Sequence, residues 1–456
     1  MRHSQAVPRG RVQLPCLTWR NAGGRGRTPD ELEQLEGGMK RRSFAPARGV
    51  SNIELFYDLI FVYCISVLTS TMHHVNGDFV DFAQWLSFTF SYLVVLQVWF
   101  FTTFLMNRYG DHSAGDNVCL FVNMFLLYFL ANGISAGWKN SIFTFNIAWA
   151  LILANLVVHW VLKRHRYDNL DADDKAIMDR TATVLVIEFV LVVAAIFIPA
   201  EASVWLSWIA LLFGGIVFFH SKTYDRKPAR FAHLVERCSL LTIIAFGETI
   251  VAIAVYMSGS ADIWFSILVF ALVVGMFLIY IYERDNMTDH HKDTNGMVYL
   301  TITGWIILVI GNITVGLEYM QMQEIALGPK SAYLAAGLVL YLSTSFLLGF
   351  FNKAEYTYSA AYIAGRLGTC AFIVVVALVT NFNPLVSLVC STLAVYFALW
   401  HEWLLYSNRS RIVAFGKSLG YTLEDMEDAG MTFKTAEGRR AIAGAVHAAR
   451  EEQERP

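Results

Sequence analysis

His233-Leu-Val-Glu236-Arg237-Cys-Ser-Leu-Leu-Thr-Ile-Ile-Ala-Phe-Gly247-Glu248-Thr-Ile-Val-Ala-Ile-Ala-Val-Tyr-Met257 is the stretch that decides the fold. It opens with a charged patch, His233, Glu236 and Arg237. About twenty mostly apolar residues follow, enough to cross a bilayer as a helix. Near the middle sits a single carboxylate, Glu248, beside Gly247. A charge at that depth costs about 3 kcal/mol on insertion scales, so the pattern predicts that Glu248 faces a bundle interior or a wet cavity. Arg237 and Glu248 are separated by roughly three helical turns, which puts them on one face about 16 Å apart along the axis. They line one path without touching.

The rest of the chain repeats this apolar signal. Of 456 residues, 56% are hydrophobic and only 16% charged, against about 25% charged in a soluble domain. Twelve apolar runs lie near 53–72, 83–106, 117–136, 142–162, 181–198, 203–220, 239–257, 263–282, 297–319, 332–351, 363–381 and 384–406. The expected fold is therefore all-α: a polytopic helical membrane protein with about twelve transmembrane helices. With the N-terminus inside, the loops assigned to the cytosol and the adjoining span ends carry fifteen Lys and Arg. The opposite loops carry two, Lys139 and Lys330. That bias predicts a cytoplasmic-membrane protein with both termini cytosolic. Residues 1–50 hold ten basic against four acidic residues and no apolar signal-peptide core, so they read as a disordered cytosolic tail, with Met39 as an alternative start. Residues 407–456 read as a second cytosolic tail, in which 435–453 has the composition of a surface helix.

Short patterns recur at one offset. Asp111-His112-x4-Asn117 returns as Asp289-His290-x4-Asn295, and Glu54 before the first span is matched by Glu236 before the seventh. Six spans per unit insert the same way up, which predicts two parallel six-helix halves, 51–222 and 223–406, related as the halves of major-facilitator transporters are.

Several polar residues stand where chemistry can occur. Glu54 and Asp58 are four apart, on one face at the start of span one. They form either a proton site or the acceptor of an ion pair with Arg237. Glu188, in the middle of span five, is a second deep carboxylate beside Glu248. Asp111/His112 and Asp289/His290 fall in short loops, where solvated charge is the plainer reading and a gating role the sharper one. Asn123, Asn132, Asn146, Asn155 and Asn312 lie within spans and fit interhelical hydrogen bonds. Six scattered cysteines form no C-x-x-C pair, which argues against a zinc ribbon or a thioredoxin-type centre. No metal site or cofactor is expected. No P-loop motif is present, and no basic face interleaved with aromatics marks a nucleic-acid partner.

Two of these segments also carry a resemblance. Glu54-Leu-Phe-Tyr-Asp58-Leu-Ile-Phe-Val62 and His233-Leu-Val-Glu-Arg237 with Gly247-Glu248-Thr249 resemble the paired signatures of the bacterial low-temperature-requirement A family, over about residues 50–406. Val235 stands where that family usually has Pro. The resemblance implies a multi-pass membrane protein whose name reports a growth phenotype, not a reaction.

Three functions fit. The first is a non-enzymatic, permease-like secondary transporter. Glu248 and Glu188 would line its route, Glu54/Asp58 with Arg237 would form a cytosolic ion-pair gate, and Glu236 and His233 are further ion-coupling candidates. The second is a membrane-embedded enzyme acting on lipid-linked substrates, and the third a non-catalytic protein needed for growth in the cold. The partners expected are the lipid bilayer and a small solute or proton, with a homo-oligomer left open.

Overall fold

The computed structural model describes residues 50–418, apart from 74–78, 134–137, 168–169, 258–262, 323–324, 354–355, 357 and 381–382, together with Gly444. The two predicted tails, the alternative start at Met39 and the helix at 435–453 lie outside the described residues, except for 407–418.

Twelve long helices account for nearly all of what is described. They are α1 (Asn52–Ser70), α2 (Phe82–Tyr109), α3 (Ala114–Asn132), α4 (Trp138–Arg166), α5 (Ala172–Ile196), α6 (Ala200–His220), α7 (Phe231–Met257), α8 (Ile263–Tyr282), α9 (Met297–Gln321), α10 (Leu327–Phe346), α11 (Ala360–Val379) and α12 (Pro384–Ser418). No strand occurs among the described residues beyond one isolated bridge, Thr288 to Asn352. The protein is an all-α polytopic membrane protein. Each predicted span is matched by a helix, and α12 runs past residue 406 to Ser418, into the segment expected to be a tail.

Eleven of the twelve are long and apolar enough to cross a membrane by themselves. The exception is α5. Its first turns carry Asp173, Asp174, Lys175, Asp179 and Arg180, and Glu188 interrupts the apolar remainder. It is nevertheless packed between α4 and α6.

The molecule is apolar on its outside as well as its inside. Phe125, Leu212, Trp264 and Leu378 are each more than half exposed, as a surface that meets acyl chains requires and a water-facing one avoids. The most enclosed helices are α2 and α9, with 89% and 83% of their apolar windows buried. Neighbours in sequence pack side by side. Contacts between the first six helices and the last six run through α1, α2, α7 and α9.

Helix starts explain where the charges stand. Ser51 caps α1 by accepting from Glu54 N, while Glu54 Oε2 accepts from Ser51 N at 2.9 Å, a complete capping box. Ser113 and Asp171 cap α3 and α5 in the same way, accepting from the amides of Asp116 and Asp174. Each cap sets an acidic residue in the first turn, where the helix dipole favours it. Side-chain contacts bring the starts of α1, α3, α5, α7 and α9 together with the ends of α2 and α4 at one end of the bundle. That end is rich in charge.

Candidate functional site

At that end Arg237, one and a half turns into α7, is buried between two carboxylates of α1. Its Nη1 donates to Glu54 Oε1 at 3.1 Å and its Nη2 to Asp58 Oδ1 at 3.2 Å. All three side chains are fully buried. Glu54 and Asp58 reach the same cation because they are four residues apart on one helix, about one turn. Trp99 from α2 donates Nε1 to the same Asp58 Oδ1 at 2.7 Å, and its ring lies 6.0 Å from the guanidinium. The triad leaves Asp58 Oδ2 and Arg237 Nε without a partner. Burying two carboxylates against one guanidinium places unequal charge in a medium that opposes it.

A polar chain extends away from the triad. Tyr57 shares a hydrogen bond of 2.9 Å with Thr102, Asn123 donates to Tyr57, and Asn155 donates to Asn123 at 2.8 Å. These contacts tie α1 to α2, α3 and α4. The other span asparagines also bridge helices: Asn132 with Tyr63, Asn146 with Ser203 and Ser207, Asn312 with Trp85 and Tyr333.

His233 is buried one turn before Arg237 and meets Asn107 of α2 at 3.2 Å. It joins α7 to α2 and not to a carboxylate. Glu236 is exposed and has no hydrogen bond or ion pair among the described residues, so it takes no part in the triad although its neighbour does.

Asp111 departs from the expectation of a solvated loop charge. Lys163 Nζ donates to Asp111 Oδ1 at 2.5 Å and to Asp116 Oδ2 at 2.7 Å, and His159 Nε2 lies 2.9 Å from Asp116 Oδ1. Tyr167 also donates to Asp111. Burial acts to raise the Asp111 carboxyl. Hydrogen bonds with Asp116, Lys163 and Tyr167 and the charge of Lys163 outweigh it and hold Asp111 well below the usual aspartate range. His112, next to it, takes a left-handed backbone with φ of 52°. The recurring pair has other surroundings. Asp289 Oδ1 accepts from His291 N at 3.0 Å, and His290 lies 3.2 Å from Arg284 O. The two Asp-His pairs match in spelling and differ in contacts.

The deep carboxylates are not brought together. Glu188 is fully buried, with Oε2 accepting from Gln97 Nε2 of α2 at 3.3 Å. Gln97 also donates to Leu211 O of α6. Gly214 on α6 makes room for this pair, since a Cβ there overlaps both Glu188 and Gln97. Glu188 Oε1 and Gln97 Oε1 have no partner. Gln97 lines a cleft of about 320 Å³ between α2, α6 and α9, walled also by Phe100, Gly215, Gly304 and Trp305. Glu248 is only half-buried, has no hydrogen bond or ion pair among the described residues, and does not line this cleft.

Several charges that spacing alone assigns to loops belong to these buried networks. Arg108, Lys163, Arg237 and Arg366 are each less than a tenth exposed, and Lys330, counted on the opposite side, donates to Met322 O at 2.8 Å from a buried position. Arg108 holds the backbone oxygens of Lys227, Tyr224 and Asn295. A third ionic cluster, Glu283, Arg366 and Glu402, is one that sequence reasoning missed. Its signals in the sequence are Arg366, near the start of the eleventh apolar run, and Glu402, close to the end of the twelfth.

Gly133-Ile-Ser-Ala-Gly137 spells G-x-S-x-G. The nucleophile elbow of that spelling needs a strand before it. Here helix α3 precedes it, and residues 134–137 lie outside the described residues. Among the described residues, no group of three His, Cys, Asp or Glu side chains stands close enough to hold a metal.

No curated protein and no solved structure matches the chain. The family model described as bacterial low temperature requirement A protein matches residues 49–401, which include the triad, the Glu188–Gln97 pair and Glu248. The chain belongs to the bacterial low temperature requirement A (LtrA) family.

Proposed function

We propose that this protein is a permease-like secondary transporter of the cytoplasmic membrane, with both termini cytosolic, that moves a small solute together with protons. The observation that carries the reading is Arg237 of α7 buried between Glu54 and Asp58 of α1. These helices belong to different six-helix units, so opening the contact between the units separates the ion pairs, and closing it restores them. Two carboxylates on one guanidinium also leave a position for a proton to neutralise. The triad is thus both a latch and a proton acceptor at the cytosolic end.

Packing supports the two-unit arrangement. The pairs α1–α3, α3–α4, α4–α5 and α5–α6 are echoed by α7–α9, α9–α10, α10–α11 and α11–α12. Burial follows the echo less closely: α2 and α9 are the enclosed helices, whereas a strict repeat pairs α2 with α8. The cleft between α2, α6 and α9 lies where the units meet, with Glu188 behind its wall. The bilayer and the solute are the partners of this activity, which needs no chemical change in the substrate.

The test is reconstitution into liposomes loaded with a pH-sensitive dye, challenged with a panel of solutes. A solute-dependent proton flux that Glu54→Gln and Asp58→Asn reduce is the expected result. Flux equal to that of empty liposomes across the whole panel overturns the reading.

A further inference from the structure

The last six helices contain an ionic cluster that the α1–α7 latch does not use. Glu283 at the end of α8, Arg366 on α11 and Glu402 on α12 are 1%, 5% and 0% exposed. Arg366 meets both carboxylates through a single nitrogen. Nη2 is within hydrogen-bond reach of Glu283 Oε1, of Glu402 Oε2 at 3.3 Å and of Tyr362 OH at 2.6 Å, and Tyr362 OH donates to Glu283 Oε1 at 3.4 Å. Its Nε and Nη1 have no partner, and neither do Glu283 Oε2 and Glu402 Oε1.

The geometry differs from the first triad in one decisive respect. Arg237 gives each carboxylate its own nitrogen. Arg366 makes two carboxylates converge on one nitrogen, so the carboxyl groups are neighbours with half the guanidinium turned to neither. Two buried carboxylates that converge on one nitrogen compete for a single positive charge, and a shared proton relieves the excess negative charge. Rings pack around the cluster: Tyr358 stacks on Tyr362 at 4.5 Å and on Phe346 at 4.5 Å, and Tyr406 packs on Tyr362 at 5.5 Å.

We propose that Glu283 and Glu402 form a proton-binding site that takes one proton between them, with Arg366 compensating the remaining carboxylate. The groups that face it are Tyr282 from α8, Tyr341 from α10, Tyr356, Tyr358 and Tyr362 before and on α11, and Tyr406 on α12. His401 packs over Gly365 at the same α11–α12 contact. The guanidinium of Arg366 is the cation in contact with both carboxyl groups. Binding here moves a proton onto a carboxylate oxygen and breaks no covalent bond. It stands independently of transport, because a protein that carries no solute can still hold this proton.

The test is infrared difference spectroscopy on the full chain in liposomes, reading the C=O stretch of protonated carboxyl groups and its shift in D2O. Glu402→Gln and Glu283→Gln are expected each to remove one protonated-carboxyl band, because the surviving glutamate then ionises against Arg366. Glu188→Gln removes no part of that band. A wild-type spectrum from which neither variant subtracts such a band overturns the proposal. Gln is neutral and nearly isosteric with protonated glutamic acid, so at least one of the two variants must fold. Failure of both to fold also overturns it.

Discussion

Arg237 Nη2 lies 3.2 Å from Asp58 Oδ1, fully buried, where α7 crosses α1. The same oxygen accepts from Trp99, so one carboxylate joins α1, α2 and α7. The contact therefore depends on a charge that is costly to bury and costly to leave unpaired.

Removing only the cation exposes that cost. Arg237→Met leaves Glu54 and Asp58 buried without their partner, and loss of one member of a buried pair costs about 3–5 kcal/mol. A large fall in the unfolding midpoint in detergent is expected. Neutralising all three positions, with Glu54→Gln, Asp58→Asn and Arg237→Met, recovers most of it, since a neutral set carries no stranded charge. A triple variant no more stable than Arg237→Met shows that the cost lies in packing instead.

Asp111 gives a prediction in pH. Its carboxyl is held below the ordinary aspartate value of 3.8, so the folded state binds its proton less readily than the unfolded chain does. Stability from this group is present above that value and is lost as pH falls through the folded value. Thermal midpoints measured between about pH 5 and pH 2 are expected to fall less steeply in Asp111→Asn than in wild type. At neutral pH the same variant loses about 1.5–3 kcal/mol, the range for hydrogen bonds to charged groups. Asp289→Asn loses about 1 kcal/mol or less, because the Asn side-chain oxygen still accepts from the His291 amide and no ion pair is given up. Equal losses at the two sites rule out the difference drawn between them.

Gly214 and Gly215 are adjacent but not equivalent. A methyl at 214 runs into Glu188 and Gln97, whereas one at 215 meets open space in the cleft. Gly214→Ala is expected to cost about 1–3 kcal/mol through overpacking, and Gly215→Ala to stay within about 0.5 kcal/mol. Chemical denaturation of both in the same detergent decides it; a tolerated Gly214→Ala means that Glu188 and Gln97 are free to move apart.

These sites are legible in the sequence to different depths. The twelve helices read directly, eleven of them because an apolar run of about twenty residues matches the thickness of a bilayer core. Arg237 with Glu54 and Asp58 is also within reach, since both segments place their charges just inside a span at one end. Gln97 is not, because a lone glutamine in an aromatic-rich span has no pattern that points to Glu188. Spacing puts Lys163 in a loop and Arg366 at a span end because charge marks a boundary when partners are unseen. Burial reverses that reading once Glu283, Glu402, Asp111 and Asp116 are found against them.

Glu248 is the residue on which transport and stability separate most cleanly. It is half-buried on α7 with no ion pair or hydrogen bond among the described residues, and Gly247 beside it faces open space. A side chain with no partner to lose contributes little to folding, so Glu248→Gln is expected to shift stability by no more than about 0.5 kcal/mol. A carboxylate kept at membrane depth without a partner still has its insertion cost, which function must justify. In liposomes, Glu248→Gln is therefore expected to abolish pH-dependent flux while the purified protein melts as wild type does. Glu188→Gln is the contrast: its site is sealed, so stability changes there along with any change in flux. Undiminished proton coupling in Glu248→Gln removes Glu248 from the route.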